Sequence, residues 1–423
     1  MKPQIIELPR GERLAVAEMP WMESVSFGIF VGVGSRHDPA RCSGLAHFAE
    51  HLFFKGTRRF PARKLSLEIE RLGGSADAFT SEEHTCFYIR GPAESFPRFA
   101  ELLLDMFLDS TFPHEEVERE REVISEEISM YQEQAPSRVE DLLCHTMWPG
   151  HPLGRPISGD EASLRRIRRE DLVRHARTHY GRANAVLAVA GKVEAVNAAE
   201  ILSGLIARRF PPGRRPAHRP GPRRQFGKGP KWKCERREIE QTQIALAVHA
   251  PGRQGTAPQV MKILNVLAGE NTSSRLWHQL REKRGWCYQV ESEATSLSDT
   301  GLFQVFAGVD PTNTAKAVRL IWKELRRFAE KPVPQRDLDH AISYTLGSGR
   351  LSFENTASLM LWIGESLLFH GHILSVEESQ KRLASVTREQ IQRLSQRLFQ
   401  SGNLGVAIVG PGEPGPVGLE QAG

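Results

Sequence analysis

The sequence predicts an α+β protein made of two similar domains, each an antiparallel-rich sheet with packed helices in an α/β-sandwich arrangement. Three observations lead there. At 423 residues the chain exceeds what one compact core usually holds. Residues 211–230 gather Pro211-Pro212-Gly213, Pro216, Pro220-Gly221-Pro222 and Gly229-Pro230, a Pro, Gly and Arg density that reads as an extended linker. On both sides of it the same grammar of short strands and helices occurs. Thr85-Cys86-Phe87-Tyr88-Ile89-Arg90-Gly91-Pro92 is echoed by Thr300-Gly301-Leu302-Phe303-Gln304-Val305-Phe306-Ala307-Gly308, each followed by a helix. The expected layout is therefore a first domain over 1–210, a linker over 211–232 and a second domain over 233–423.

Element by element, residues 13–19 and 25–34 alternate or run apolar and read as strands, closing at the turn signal Asp38-Pro39. Gly32-Val33-Gly34 lacks the Lys-Ser/Thr that a phosphate loop needs. A helix is expected over 43–56 and another over 62–72, stopped by Gly73-Gly74. Strands at 75–80 and 84–91 precede a helix at 94–109 that ends before Pro113. An acidic helix follows over 114–133 and stops at Ala135-Pro136, then helices at 137–147 and 169–180 and a strand at 184–190. Beyond the linker, 238–249 and 302–308 read as strands, 258–268 and 273–283 as helices, with more helices after them.

The chemistry concentrates in His47-Phe48-Ala49-Glu50-His51, inside the first of these helices. Positions i and i+4 stack on one helix face, so His47 and His51 can present two imidazoles to one ion with Glu50 beside them. This is the H-x-x-E-H order of inverted zinc peptidases. A lone His on an apolar helix is more often a packed core residue, and Glu-rich helices usually mean a solvated face. A hydrolytic zinc needs a third protein ligand and room for water. Within the acidic helix Val117, Ile124, Ile128 and Tyr131 recur at helical spacing, and Glu120 and Glu127 lie two turns apart on a stripe flanked by Val123, Ile124 and Ile128. Glu116, Glu118, Glu122 and Glu126 read as surface charge.

These segments together resemble the pitrilysin or insulinase-like zinc peptidases, in the branch of the mitochondrial processing peptidase. That family carries H-x-x-E-H and, farther along, a Glu pair seven residues apart whose second acid binds metal. The resemblance extends through Leu52-Phe53-Phe54-Lys55-Gly56-Thr57, Gly73-Gly74-Ser75-Ala76-Asp77-Ala78-Phe79-Thr80, Glu83-His84-Thr85, His151-Pro152-Leu153-Gly154-Arg155-Pro156-Ile157 and Ser273-Ser274-Arg275-Leu276. One departure is Asp77, where the family usually has Asn. The resemblance implies two pseudo-repeat halves of a clamshell and one Zn2+ per chain on His47, His51 and Glu127. It implies a zinc endopeptidase acting on extended or unstructured peptides, with Glu50 taking a proton from the attacking water and returning it to the leaving amine. Glu120 would then orient the ion's surroundings, and Ala76, Asp77, Ala78, Phe79 and Thr80 would bind substrate as an added strand. Arg281 and Tyr288 match the family's second-domain pair, donors suited to a peptide carbonyl and its oxyanion. A homodimer is implied, one chain's pair serving its mate's zinc, with a heterodimer as the other arrangement. The competing reading is a non-catalytic peptide-binding or partner subunit of a heterodimeric processing peptidase.

Composition bounds the rest. No apolar run approaches the roughly 18 residues of a membrane span, and the start has no signal-peptide core, so a cytoplasmic protein without membrane attachment is expected. The net charge of +5 comes largely from Arg165-Arg166-Ile167-Arg168-Arg169, Arg214-Arg215 and Arg223-Arg224. These clusters lack interleaved aromatics, so no nucleic-acid partner is expected. The five cysteines, Cys42, Cys86, Cys144, Cys234 and Cys287, form no C-x-x-C pair and read as reduced structural thiols.

Overall fold

Two mixed sheets organise the chain, the second repeating the strand order of the first without its N-terminal edge strand. The computed structural model describes residues 2–207, 210–217, 220–221 and 229–412; Arg223 and Arg224 of the linker lie outside them. The first sheet contains β1 (Gln4–Glu7), β2 (Arg13–Glu18), β3 (Ser24–Val31), β4 (Ser75–Thr80), β5 (Thr85–Pro92) and β6 (Ala185–Gly191), in the order β1-β2-β6-β3-β5-β4. The second contains β7 (Lys231–Arg236), β8 (Thr242–Ala250), β9 (Cys287–Ser296), β10 (Gly301–Val309) and β11 (Leu404–Gly410), in the order β7-β11-β8-β10-β9. In each sheet one neighbouring pair is parallel, β2 with β6 and β7 with β11, and the rest are antiparallel. The echo between 85–92 and 300–308 is thus β5 against β10, strands at the same place in each sheet.

Each sheet is covered on both faces. One face of the first packs Val25, Phe27, Ile29 and Ile89 under the helices Leu45–Phe53, Phe96–Asp109 and Ala195–Ile206. Its other face offers Ala15, Ala17, Phe30, Val186 and Ala188, small enough that the helix Thr356–His370 lies directly on the strands. The approach is close: a Cβ on Gly364 would stand 2.2 Å from the Phe30 ring. The Thr356 hydroxyl also hydrogen-bonds the buried Ser26 hydroxyl at 2.9 Å. The second sheet repeats the plan, with Ala257–Asn265, Thr314–Glu330 and Arg388–Leu398 on one face. On its other face Ala135–Met147 packs against Ala245, Ala247 and Ala407, and Arg138 pairs with Glu235 of β7 at 2.7 Å.

Two helices therefore sit with the sheet of the opposite half of the sequence. The compact units are Met1–Ile128, Pro156–Arg219 and Gly349–Ser379 for the first, and Ser129–Arg155, Pro220–Ser348 and Gln380–Gly423 for the second. The boundary read at 211–232 separates the sheets but not the units. The linker is also shorter than the range drawn from composition, because Lys231–Arg236 forms β7, paired in parallel with β11 near the far end of the chain. That strand depends on a partner about 170 residues away (Gly405 opposite Lys231), which local composition does not register. Among the described residues no disulfide joins the cysteines, and no helix is long and apolar enough to cross a membrane.

Candidate metal centre

The helix Leu45–Phe53 starts where Asp38 caps it. The Asp38 carboxylate accepts the Gly44 N–H at 2.9 Å and the Ala46 N–H at 3.2 Å, satisfying donors that a helix start leaves open. Gly44 holds φ +88, and a Cβ there would meet the Ser158 carbonyl at 2.3 Å, so the position requires glycine. Leu45, Ala46, Phe48, Ala49, Leu52 and Phe53 are buried. The remaining face carries His47, Glu50 and His51, half-buried.

The helix His114–Glu133 faces it, burying Val117, Glu120, Ile124 and Ile128. Arg121 fastens the two helices: its guanidinium lies over the Phe48 ring at 5.4 Å and donates to the carbonyls of Leu164 and Ile167. Glu127 consequently points at both imidazoles, with Oε1 3.8 Å from His47 Nε2 and Oε2 3.6 Å from His51 Nε2. Ligand atoms of these three residues lie within 4.8 Å of one another, the one such group of His, Cys, Asp and Glu side chains among the described residues.

The donor set fits zinc. A tetrahedral ion with bonds of about 2.0–2.2 Å spaces its ligand atoms roughly 3.3–3.6 Å apart, slightly inside the separations found here. Two nitrogens and one carboxylate leave a fourth position for water, as a hydrolytic site requires. Burial, aided by the neighbouring His51, depresses the His47 imidazole to about 3, so it stays neutral and able to ligate. His47 Nδ1 is buried without a hydrogen-bond partner, so Nε2 is the nitrogen turned to the carboxylate.

Around these ligands runs a chain of polar contacts. His51 Nδ1 lies 3.1 Å from Glu120 Oε2, and Lys55 Nζ lies 2.6 Å from Glu120 Oε1. Burial works to raise the Glu120 carboxyl, but the hydrogen bonds from His51 and Lys55 outweigh it and hold it below the usual glutamate range. The ionised acid fixes the tautomer that leaves His51 Nε2 bare. Glu120→Gln is accordingly expected to weaken metal affinity by about 10–100-fold, which a chelator competition checks; unchanged affinity would assign Glu120 to packing alone.

Glu50 sits beside His47, His51 and Glu127 and outside their group. It accepts a 2.5 Å hydrogen bond from the Thr80 hydroxyl on β4. Burial raises its carboxyl above the ordinary range, partly opposed by Thr80 and His51, while Glu127 and Asp77 push it further up. β4 is an edge strand paired with β5, so its outer edge is open for another strand. Ala76 and Ala78 face the core under the histidine helix, whereas Phe79 packs on the opposite face. Asp77 accepts the Ala78 N–H at 2.8 Å and the Tyr88 hydroxyl at 3.1 Å.

In the second unit, Arg281 and Tyr288 are brought together. The guanidinium lies over the Tyr288 ring at 4.5 Å and over the Trp277 indole at 4.2 Å. Tyr288 is 75% exposed, which argues against a core role for that ring. Three contacts are not anticipated by the sequence pattern. Lys55 and Trp277 each have as a signal only the i, i+4 spacing to His51 and to Arg281. The bond from Thr80 to Glu50 has none, because it joins a strand to a helix thirty positions away.

Comparison with known proteins places this geometry. Residues 13–161 match the family described as insulinase (peptidase family M16), and residues 166–344 match the peptidase M16 inactive domain. An uncharacterized zinc protease of Streptomyces coelicolor is 33% identical over 96% of this chain and 88% of its own length. One from Mycobacterium tuberculosis is 31% identical, covering 97% of this chain and 94% of that protein. Among solved structures, a protease from Helicobacter pylori superposes with a TM-score of 0.89 at 19% identity, over 97% of this chain and 99% of that one. With a curated relative above 30% identity along nearly its whole length and both halves matched in order, this chain belongs to peptidase family M16.

Proposed function

We propose that this protein is a zinc-dependent endopeptidase of extended or unstructured peptides. The observation that carries the reading is the convergence of His47, His51 and Glu127 from two helices, with Glu50 beside them but outside the ligand set. A zinc ion bound there supplies Lewis acidity and lowers the pKa of water toward about 7. Glu50, its basicity raised by burial, takes a proton from the attacking water and later delivers it to the leaving amine. Thr80 holds the Glu50 carboxylate in place through its hydroxyl. The open edge of β4 grips an extended peptide through main-chain hydrogen bonds, which read conformation more than side chains and keep sequence preference loose.

The proposal includes a homodimer in which Arg281 and Tyr288 of one chain serve the zinc of the other. Arg281, stacked between two rings, presents its fork with little rotamer freedom left to lose. The experiment is cleavage of a quenched, unstructured peptide by the full chain, with zinc content and oligomeric state measured on the same sample. Turnover that disappears with a chelator and returns with zinc is expected, with cleavage sites by mass spectrometry spread over several residue types. A zinc-loaded sample that cuts no peptide would instead favour a non-catalytic partner subunit. An active monomer would remove the dimer from the proposal.

A further inference from the structure

The second unit contains a cavity of about 450 Å³ that the proposed peptidase chemistry does not use. It opens between the segment 273–279 and the start of the helix Gln335–Ser352, with Phe328 and Val333 on its wall. Its polar lining is mostly cationic or donating: Arg275, Arg336, His340 and Ser273, against one acid, Asp337. The volume lies within the range of small-molecule sites.

Two guanidiniums here make no direct hydrogen bond or ion pair among the described residues, although the Glu324 and Asp337 carboxylates act on Arg275 through space. Among the described residues Arg275 makes no ion pair or hydrogen bond through its side chain and is held by stacking on Phe328 at 4.3 Å. The nearby acid Glu324 is engaged by Arg327 at 2.8 Å. Arg336 is likewise unpaired among the described residues, and neither guanidinium forms an ion pair with Asp337. His278 is tied to Glu282 at 2.6 Å, while His340 Nε2 shares the Ser273 hydroxyl at 3.1 Å. Beneath them Ser274 is 2% exposed, and its hydroxyl has no hydrogen-bond partner. A half-buried guanidinium with five donors and no acceptor is costly unless a ligand supplies the acceptors. Val266, Leu267 and Val333 add an apolar wall beside these donors.

We infer that this cavity binds a small organic phosphate, its dianionic phosphoryl group on Arg275 and Arg336 and its apolar body against Val266, Leu267 and Val333. Two guanidiniums against the single carboxylate of Asp337 leave the cavity net cationic, and their planar forks match phosphoryl oxygens in geometry. The Ser274 hydroxyl, which lines the cavity without a partner, can add a donor to them. The site is independent of the zinc ligands, which belong to the other unit.

The test is calorimetric titration of the full-length, zinc-loaded protein with phenyl phosphate, inorganic phosphate and benzoate, repeated after chelation to set aside any phosphate held by zinc. Saturable binding of phenyl phosphate that survives chelation is expected, tighter than that of inorganic phosphate or benzoate. Arg336→Met and Arg275→Met should each weaken it at least tenfold. Arg336 is exposed, so its substitution decides the matter if the Arg275 variant folds poorly. No saturable binding, binding lost on chelation, or affinity unchanged in Arg336→Met overturns the inference. Benzoate binding as tightly as phenyl phosphate overturns the phosphate assignment.

Discussion

Glu50→Gln is expected to retain zinc and to lose about 10²–10⁴-fold in peptide turnover, the usual contribution of a positioned general base. Glutamine keeps the size and still accepts the Thr80 hydroxyl, so neither the helix nor the metal ligands should move. What disappears is the proton acceptor. The wild-type protein should also show an acidic limb in its pH–rate profile. A base works when ionised, so turnover is present above the Glu50 pKa and falls as pH drops through it. Burial raises that pKa, the direction opposite to the pull of a nearby dication. Thr80→Val removes a hydrogen bond that opposes the rise and should move the limb higher. Zinc-loaded Glu50→Gln turning over near the wild-type rate would remove Glu50 from the mechanism.

Glu127→Ala should act on the metal itself. It deletes one of the three proposed ligands, leaving two imidazoles in a half-buried site. The affinity loss should exceed the roughly 10–100-fold expected for a residue that only supports a ligand, such as Glu120. Zinc per chain should fall far below one after dialysis, and turnover should fall with it. Glu127 retains 24% side-chain exposure, so the fold should survive and the melting curve of the metal-free protein should barely change. Full zinc retention by Glu127→Ala would mean that another group closes the site, and the three-residue assignment would fail.

Much of this centre could be read from the chain because its geometry is periodic. His47 and His51 are four residues apart on a helix whose other positions are apolar, and Glu120 and Glu127 are seven apart on the next long helix. Repeats of that kind survive translation from sequence to surface. Periodicity places the acidic helix on the residues it occupies, His114–Glu133. Contacts between elements were not legible in this way. Thr80 meets Glu50 because β4 runs beside the histidine helix, and no spacing encodes that. β9 and β11 carry no strand signal of their own. Cys287–Ser296 is largely polar, and Leu404–Gly410 is a short apolar run that periodicity alone cannot assign. The helices Ala135–Met147 and Thr356–His370 were ordinary helices locally; which sheet each covers is decided by partners far along the chain.

That swap of covering helices sets the order in which the molecule can mature. As synthesis proceeds from the N-terminus, the strands of the first sheet are all present once Gly191 has left the ribosome, yet their lid, Thr356–His370, is still unmade. Until it arrives, Ala15, Ala17, Phe30, Val186 and Ala188 face solvent, a sticky surface on a nascent intermediate. A fragment ending at residue 210 should stay in that condition permanently, taking up a hydrophobic dye and precipitating. Supplying 349–379 as a separate peptide should restore solubility. The two halves resemble duplicated, self-sufficient modules in outline, but each is complete only with a piece of the other, and the first has to wait for its piece.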